Sequence, residues 1–382
     1  MNHAQFEERL ALVRSTLEKH GLEATNITPL EYDENCPFPY NNFIYKVELA
    51  AAASPASFSR ANQACTSPPP VAGVSTLIFR LSNPSAEGLN QATRVQNEVA
   101  ALHLARDGRA SSVIPAVYDW HPRVGTEMGW ILMEFKPGVG LDQHFENLSE
   151  EQKEAVIGQI ADVFATVQGA ALPKTATAYG GLTIDEDGTI VSGEMTTLEG
   201  GPWQTFAGFL KARLASKLND ADKSPALRGW KDNGVRERVD AFLDSGLDTA
   251  LQESGVDEGQ RVLVHGDLTT NNILFDPATA KVTGLVDFDF SYVGHPFQEF
   301  LSSFGDVAGV SWDNALTARG IFRPDAMPGA GTLKLLGRLE ELLSPFRLVH
   351  PVFLGQQTAE RIAERRAEAE KDLLACLDEL GA

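Results

Sequence analysis

The sequence contains few cysteines and no long apolar run. Its three cysteines, Cys36, Cys65 and Cys376, are odd in number and far apart along 382 residues. This spacing argues against a disulfide framework or a zinc site and favours a reducing compartment. No run of about 18 apolar residues occurs, so we expect no membrane span. The first residues also lack the basic start and apolar stretch of a secretory signal, and we therefore expect a cytoplasmic protein.

Positive charge is also scarce. Lys and Arg number 32 against 52 Asp and Glu, which gives a net charge of −20. Nucleic acid is therefore not an expected partner, because binding it depends on cationic residues that contact phosphates. A negative field would attract an amine-bearing small molecule, although a solvated acidic surface explains the same excess. Nothing in the composition indicates an obligate protein partner.

Three short apolar runs divide the most informative segment of the chain. They cover residues 261–264, 273–275 and 282–287. Runs of this length that are rich in apolar and β-branched residues predict strands. Asp276 followed by Pro277 predicts a turn between the second and third runs. These two runs are therefore expected to form an antiparallel hairpin.

The register of this hairpin decides which polar side chains meet. We expect Ile273 to lie opposite Val286, so that Asn272 and Asp287 lie at the open end of the hairpin. Directly opposed strand residues are ~4.5–5.5 Å apart, and one cation could contact both side chains. Asp267 lies five residues before Asn272, across a short loop, and is expected to face the same space.

These oxygen-bearing side chains suit phosphoryl transfer. Mg²⁺ prefers oxygen ligands and is often held by one or two carboxylates together with substrate phosphates, and the reaction depends mainly on positioning and charge neutralisation. We predict that Asp267 orients the acceptor hydroxyl and accepts its proton, and that Asn272 and Asp287 bind the metal. His265 is expected to shape the loop. Asp289 has two open interpretations, a second metal ligand or a structural hydrogen-bonding residue.

The segments His265–Asn272 and Val286–Asp289 together resemble the aminoglycoside phosphotransferase family, including its fungal members. Choline kinases and fructosamine kinases look like relatives. The resemblance implies an α+β, bilobal protein-kinase-like fold, with an N-terminal antiparallel sheet lobe and a mainly helical C-terminal lobe. It also implies transfer of a γ-phosphoryl group from Mg-ATP to a hydroxyl of a small-molecule acceptor, such as an aminoglycoside or a choline-like alcohol. Asp267 carries over as the catalytic base, and Asn272 and Asp287 as the metal ligands, while the choice between ATP and GTP stays open.

The upstream half resembles the same family more weakly. Residues 75–81 predict a strand, and apolar residues at helical spacing predict a helix after it. The family pairs a strand lysine with a helix glutamate, so the resemblance suggests Arg80 and Glu98 as the pair that contacts the nucleotide. Arg80 departs from the usual lysine. Its planar guanidinium can bind phosphates bidentately, but it does not replace an ammonium ion automatically.

Two further segments are candidates for nucleotide contact. The loop at 34–42 lies between the first two predicted strands and contains no glycine; Asn42 is its candidate contact. The segment Trp130–Gly138 resembles the strand and hinge that join the two lobes, and Met133, Glu134 and Phe135 are its candidate nucleotide contacts. Met133 and Phe135 also have an interpretation as core residues.

The predicted lobe boundary lies at Phe135. Residues 1–135 would form the nucleotide-binding lobe, and residues 136–382 the catalytic and substrate-binding lobe. Residues 50–73 are rich in Ala, Ser and Pro and predict a flexible insertion between two strands of the first lobe. Asp306 and Glu340 are acidic candidates for the acceptor site.

Two other functions compete with the kinase interpretation. The unusual Arg80 motivates a nucleotide-binding pseudokinase without catalysis. A metal-dependent phosphoesterase would instead use a cluster of histidines and aspartates as metal ligands. Its members would be His265, Asp267, Asp287, Asp289 and His295.

Overall fold

The computed structural model describes residues 2–30, 36, 39–59, 63–107, 111–304 and 310–382. The chain divides into two compact units. The first comprises Met1–Pro202, Val262–Gly294 and Ser302–Ile321, and the second comprises Trp203–Arg261, His295–Leu301 and Phe322–Ala382. This grouping does not follow the lobe boundary predicted at Phe135, which stays a prediction.

All strands of the described residues belong to the first unit. They are β1 (Ala24–Leu30), β2 (Asn42–Ala53), β3 (Val74–Ser82), β4 (Val117–His121), β5 (Trp130–Glu134), β6 (Val139–Gly140), β7 (Gly181–Ile184), β8 (Ile190–Gly193), β9 (Val262–Val264), β10 (Ile273–Asp276), β11 (Lys281–Leu285) and β12 (Tyr292–Gly294). The first five form one antiparallel sheet in the order β1-β2-β3-β5-β4. In β2, every second side chain from Phe43 to Leu49 is buried, which is the period of a strand with one face on a core.

The helices are divided between the two units, and the described part of the second unit contains helices but no strand. They are α1 (Phe6–Lys19), α2 (Arg94–Arg106), α3 (Glu150–Gln168), α4 (Phe206–Lys223), α5 (Val235–Ala241), α6 (Leu247–Ser254), α7 (Glu299–Ser302), α8 (Val310–Ala318), α9 (Ala330–Leu343), α10 (Phe346–Val349), α11 (Pro351–Gly355) and α12 (Ala359–Glu379). Ser149 is the N-cap of helix α3, and its side chain forms a capping box with Gln152. Within the described ranges, every helix is too short or too polar to cross a bilayer.

Buried polar contacts hold the second unit together beside its apolar core. Trp230 is fully buried, and its indole N–H donates to the Leu343 carbonyl at 2.8 Å. Arg213 donates to both oxygens of Glu340, at 2.9 and 2.8 Å. Glu340, expected as an acceptor contact, therefore serves as the partner of a bidentate ion pair. Asp306 lies outside the described residues.

The insertion predicted at 50–73 is shorter than expected. Strand β2 continues to Ala53, which pairs with Val74 of β3. A 3₁₀ turn follows, with Phe58 buried. The Ser67 N–H donates to the Val117 carbonyl at 2.8 Å, so the far end of the segment is attached to β4. Its flexibility stays a prediction.

The hairpin of β10 and β11 forms, but its predicted register is wrong. Ile273 lies opposite Leu285 and not opposite Val286. The turn is tighter than expected, because pairing already begins between Asp276 and Lys281, and a bulge follows. Asn272 consequently faces Val286, whose N–H donates to the Asn272 carbonyl at 3.0 Å. Asp287 lies one residue beyond the ladder.

Candidate active site

The loop between β9 and β10 is fixed by a glycine and a buried histidine. Gly266 has φ +83°, and a Cβ there would lie 2.6 Å from the Phe290 carbonyl oxygen. His265 is fully buried, and its Nε2 lies 3.0 Å from the Val286 carbonyl, to which it donates. Its Nδ1 accepts from the Asp267 N–H at 3.3 Å. Burial lowers the pKa of His265 to about 4, so the ring is neutral and shapes the loop.

Asp267 and Asn272 form a direct pair within this loop. The Asn272 side-chain Nδ2 donates to Asp267 Oδ2 at 2.9 Å and to the Asp267 carbonyl at 2.8 Å. Because both partners are acceptors, the amide nitrogen must face Asp267, and Asn272 Oδ1 lies on the other side of the amide. Burial raises the pKa of Asp267 to about 6, the bond from Asn272 opposes this rise, and the charge of Asp287 adds to it. A carboxylate with a pKa near neutrality suits a general base.

Asp287 ends the hairpin in a left-handed conformation, with φ 64° and ψ 63°. Such a conformation is uncommon outside glycine, although Asp tolerates it better than most residues. The turn directs the carboxylate toward Arg80, whose Nη2 donates to Asp287 Oδ1 at 2.8 Å. The Asp287 side chain remains 33% exposed. The structure therefore brings Asp287 close to Asp267 on one side and to Arg80 on the other.

The predicted contact between Arg80 and Glu98 is present. Arg80 lies on β3 and Glu98 on α2, both are buried, and Nη1 of Arg80 donates to Glu98 Oε1. The other terminal nitrogen is shared between Asp287 and Asp289, with the Nη2 to Asp289 Oδ2 distance at 3.2 Å. Among the described residues, Arg80 Nε has no hydrogen-bond partner although it is buried.

Arg94 is the residue that sequence reasoning missed. It is 1% exposed, and its Nε donates to Asp289 Oδ1 at 3.1 Å while its Nη2 donates to Asp289 Oδ2. The signal was available, because Arg94 precedes Glu98 by four residues and lies on the same face of α2. Asn42 also contacts this carboxylate, and its contact with a nucleotide stays a prediction. Its Nδ2 donates to Asp289 Oδ2 at 3.0 Å and its Oδ1 accepts from Arg94 at 3.1 Å, because a buried carboxylate requires several donors.

The hinge segment is tied into the sheet. Met133 is buried in β5. The Glu134 N–H, predicted to face a nucleotide base, donates instead to the Ala116 carbonyl at 2.8 Å. The Glu134 carboxylate accepts from Lys136 at 2.7 Å, and Phe135 is half-buried below the ammonium group of Lys46, 5.3 Å from its ring centre. Nucleotide contact by Met133, Glu134 and Phe135 stays a prediction. Of the candidate loop at 34–42, residues 34, 35, 37 and 38 lie outside the described residues.

The metal cluster that a phosphoesterase would need is not formed. In the described part of the chain, no group of three or more His, Cys, Asp or Glu side chains is placed to hold a metal ion. His265 is one reason, since both of its ring nitrogens are engaged with the backbone. His295 is another, since its Nδ1 accepts from the Phe297 N–H at 3.2 Å and burial lowers its pKa to about 4. The described residues therefore give the phosphoesterase interpretation no support.

Solved structures of similar fold cover almost the whole chain. The ADP-bound APH(2'')-Ib, an aminoglycoside phosphotransferase, is 13% identical with a TM-score of 0.53, over 96% of this chain and 99% of that one. The gentamicin complex of APH(2'')-IIa is 11% identical with a TM-score of 0.52, over 94% and 95%. A protein from Ralstonia eutropha described as a candidate aminoglycoside phosphotransferase is 14% identical with a TM-score of 0.51, over 97% and 98%. These similarities confirm the predicted α+β, protein-kinase-like fold.

The family assignment follows from the sequence. No curated protein is found to match the chain. The model of the phosphotransferase enzyme family matches residues 71–336, a range that contains Arg80, Glu98, Asp267 and Asp287. More than half of the chain is covered, from the strand that carries Arg80 through the hairpin of β10 and β11 to the late helices. The chain therefore belongs to the phosphotransferase enzyme family, whose resemblance its catalytic loop had indicated.

Proposed function

We propose that this protein transfers the γ-phosphoryl group of ATP to a hydroxyl of a small molecule, with Mg²⁺ as the metal. The observation that supports this function best is the continuous set of contacts from Glu98 through Arg80 to Asp287, beside the pair of Asp267 and Asn272. A phosphotransferase needs these parts together, namely a cation for phosphate, oxygen ligands for a metal and a base for the acceptor.

The residues present fit both ATP and Mg²⁺. Arg80 Nε is a buried donor without a partner among the described residues, and a phosphate oxygen would satisfy it. Asn272 Oδ1 and the partly exposed carboxylate of Asp287 are hard oxygen donors of the kind Mg²⁺ takes. These two side chains would hold the ion, which supplies charge neutralisation to the phosphate oxygens when bound.

Asp267 is assigned the proton transfer. With its pKa raised to about 6, the carboxylate is mostly ionised at neutral pH and still basic enough to accept a proton from an acceptor hydroxyl. Asn272 fixes Oδ2 by its hydrogen bond of 2.9 Å. The backbone bond to His265 and the glycine at 266 hold the loop, so the carboxylate is positioned before the acceptor binds.

The acceptor we propose is an alcohol that bears an amine, in the class of amino sugars or choline-like alcohols. The net charge of −20 favours a cation, and the structure of similar fold that contains gentamicin is a complex with an aminoglycoside. A cytoplasmic location, where ATP is available, accompanies this proposal. It is consistent with three unpaired cysteine thiols.

The test is ADP release with ATP and GTP across a panel of amino sugars, choline-like alcohols and other hydroxylated metabolites. Asp267→Asn should abolish transfer while changing Mg-ATP affinity by less than about threefold, because Asp267 acts on the acceptor and not on the nucleotide. Asp276→Asn, at the turn of the same hairpin, is the matched control and should keep full activity. Unchanged turnover in Asp267→Asn would refute the base assignment. ATP binding without ADP release over the whole panel would favour the pseudokinase.

A further inference from the structure

Asp289 differs from Asp287 in its surroundings, although both belong to the same short motif. Asp289 is 1% exposed, whereas the side chain of Asp287 is 33% exposed. Mg²⁺ usually keeps several water molecules when a protein binds it. The exposure of Asp287 permits such a partly hydrated ion, and the burial of Asp289 does not.

Both oxygens of Asp289 are already occupied by protein donors. Oδ1 accepts from Arg94 Nε at 3.1 Å. Oδ2 accepts from Arg94 Nη2 and from Asn42 at 3.0 Å, and lies 3.2 Å from Arg80 Nη2. A second cation would have to displace an arginine from a buried site, which leaves an uncompensated buried charge.

We propose that Asp289 is a positioning residue for the phosphotransfer site and not a metal ligand. It holds Arg94 and Arg80 and thereby directs Arg80 toward the phosphates and keeps Asp287 available for the metal. This inference rests on the proposed function. The Asp289 carboxylate, two residues after Asp287, links β2 through Asn42, β3 through Arg80 and α2 through Arg94.

A second set of contacts holds the same helix in the same place. Asn97 is fully buried on α2, between Arg94 and Glu98. Its Nδ2 donates to the Ser291 carbonyl at 2.7 Å, and its Oδ1 accepts from the Leu182 N–H at 2.8 Å. Asp289 and Ser291 are therefore both attached to α2, the first through Arg94 and the second through Asn97. Arg94, Asn97 and Glu98 form one polar face of α2, whose partners include Asp289, Ser291 and Arg80.

Charge balance explains why Asp289 matters to Asp287. Arg80 and Arg94 carry two positive charges, and Glu98, Asp287 and Asp289 carry three negative charges. With Asn at position 289, the two cations face only two carboxylates. Arg80 would then bind Asp287 more tightly, so the metal ligand and the phosphate donor would neutralise each other.

The experiment measures ATP affinity by calorimetry, once with Mg²⁺ and once with EDTA. Asp289→Asn should weaken both affinities by a similar factor of about tenfold or more, because it misplaces Arg80 as well as Asp287. Arg94→Met should do the same. The double variant Asp289→Asn/Arg94→Met should bind ATP no more weakly than either single variant, because the two residues act as one unit. The double variant also removes both partners of the buried pair, so it remains measurable if a single variant does not fold.

The control is Asp119→Asn, a change of the same kind at a buried carboxylate that pairs with His20 at 2.8 Å in the same unit. It should leave both ATP affinities unchanged. A loss of affinity confined to the Mg²⁺ condition would make Asp289 a metal ligand. Additive effects of the two substitutions would show that Asp289 and Arg94 act independently. Either result would overturn the inference. If the unmodified protein binds ATP in neither condition, the proposed function fails first and this role fails with it.

Discussion

The substitution Asp267→Asn should stabilise the protein while it removes activity. Burial raises the pKa of Asp267 from its ordinary value of 3.8 to about 6, so the folded state disfavours the ionised carboxylate at neutral pH. A tenfold change in an acid dissociation constant corresponds to about 1.4 kcal/mol, which sets an upper limit of about 3 kcal/mol. Asp267 is only partly buried, and solvent screening reduces the expected gain to about 1–2 kcal/mol. Asparagine keeps the acceptor for Asn272 without the charge.

The dependence on pH identifies the cause of this stabilisation. A carboxyl with a raised pKa in the folded state favours folding fully below 3.8 and loses that contribution as the pH rises through about 6. The advantage of Asp267→Asn should therefore be complete above pH 6 and disappear as the pH falls toward 4. The assay is urea denaturation of both proteins at several pH values. The buried His265 and His295 make both proteins sensitive to acid. This effect cancels in the difference between the two free energies of unfolding. Equal stabilities at pH 7, or a gain that stays constant with pH, would refute this reasoning.

Two further predictions concern the same loop. The kcat/KM of phosphotransfer, measured between pH 5 and 8, should fall about tenfold for each pH unit below 6. The reason is that protonated Asp267 cannot act as a base. A flat profile down to pH 5 would contradict this assignment. Gly266→Ala should cost about 2–4 kcal/mol of unfolding free energy in denaturant titrations, because it adds a clash with the Phe290 carbonyl to an unfavourable positive φ. Gly88→Ala has a similar φ of +70° with nothing within 4 Å of the added Cβ, should cost only about 1 kcal/mol, and serves as the control; equal losses would show that the contact does not matter.

The parts of the site predictable from sequence are those in which the order of residues determines the geometry. Asp267 and Asn272 lie in one short loop between two strands, so their proximity follows from local structure. Arg80 and Glu98 were also predictable, because β-strand and helix periodicity place them and the family resemblance pairs them. The detailed environment of Asp287 was not, since it depends on a tight turn and a bulge that apolar alternation does not encode.

The surroundings of Asp289 could not be deduced from one sequence for a different reason. Arg94 and Asp289 are 195 residues apart, and their contact depends on how α2 packs against the segment after the hairpin. Asn42 shows the same limitation. Its position predicts a contact in a nucleotide loop, and the structure shows that its amide also donates to the buried carboxylate of Asp289, 247 residues away in sequence. Whether a charged side chain is buried depends on tertiary packing, because the residues that surround it are distant in sequence.

The polar face of α2 has a consequence for the movement of this helix. Rotation of this helix would separate Arg80 from Glu98. Such a rotation would also break the contacts of Arg94 and Asn97, leaving several buried charges and amides without partners. Rotation of α2 is therefore energetically costly, and these contacts hold the helix in one orientation.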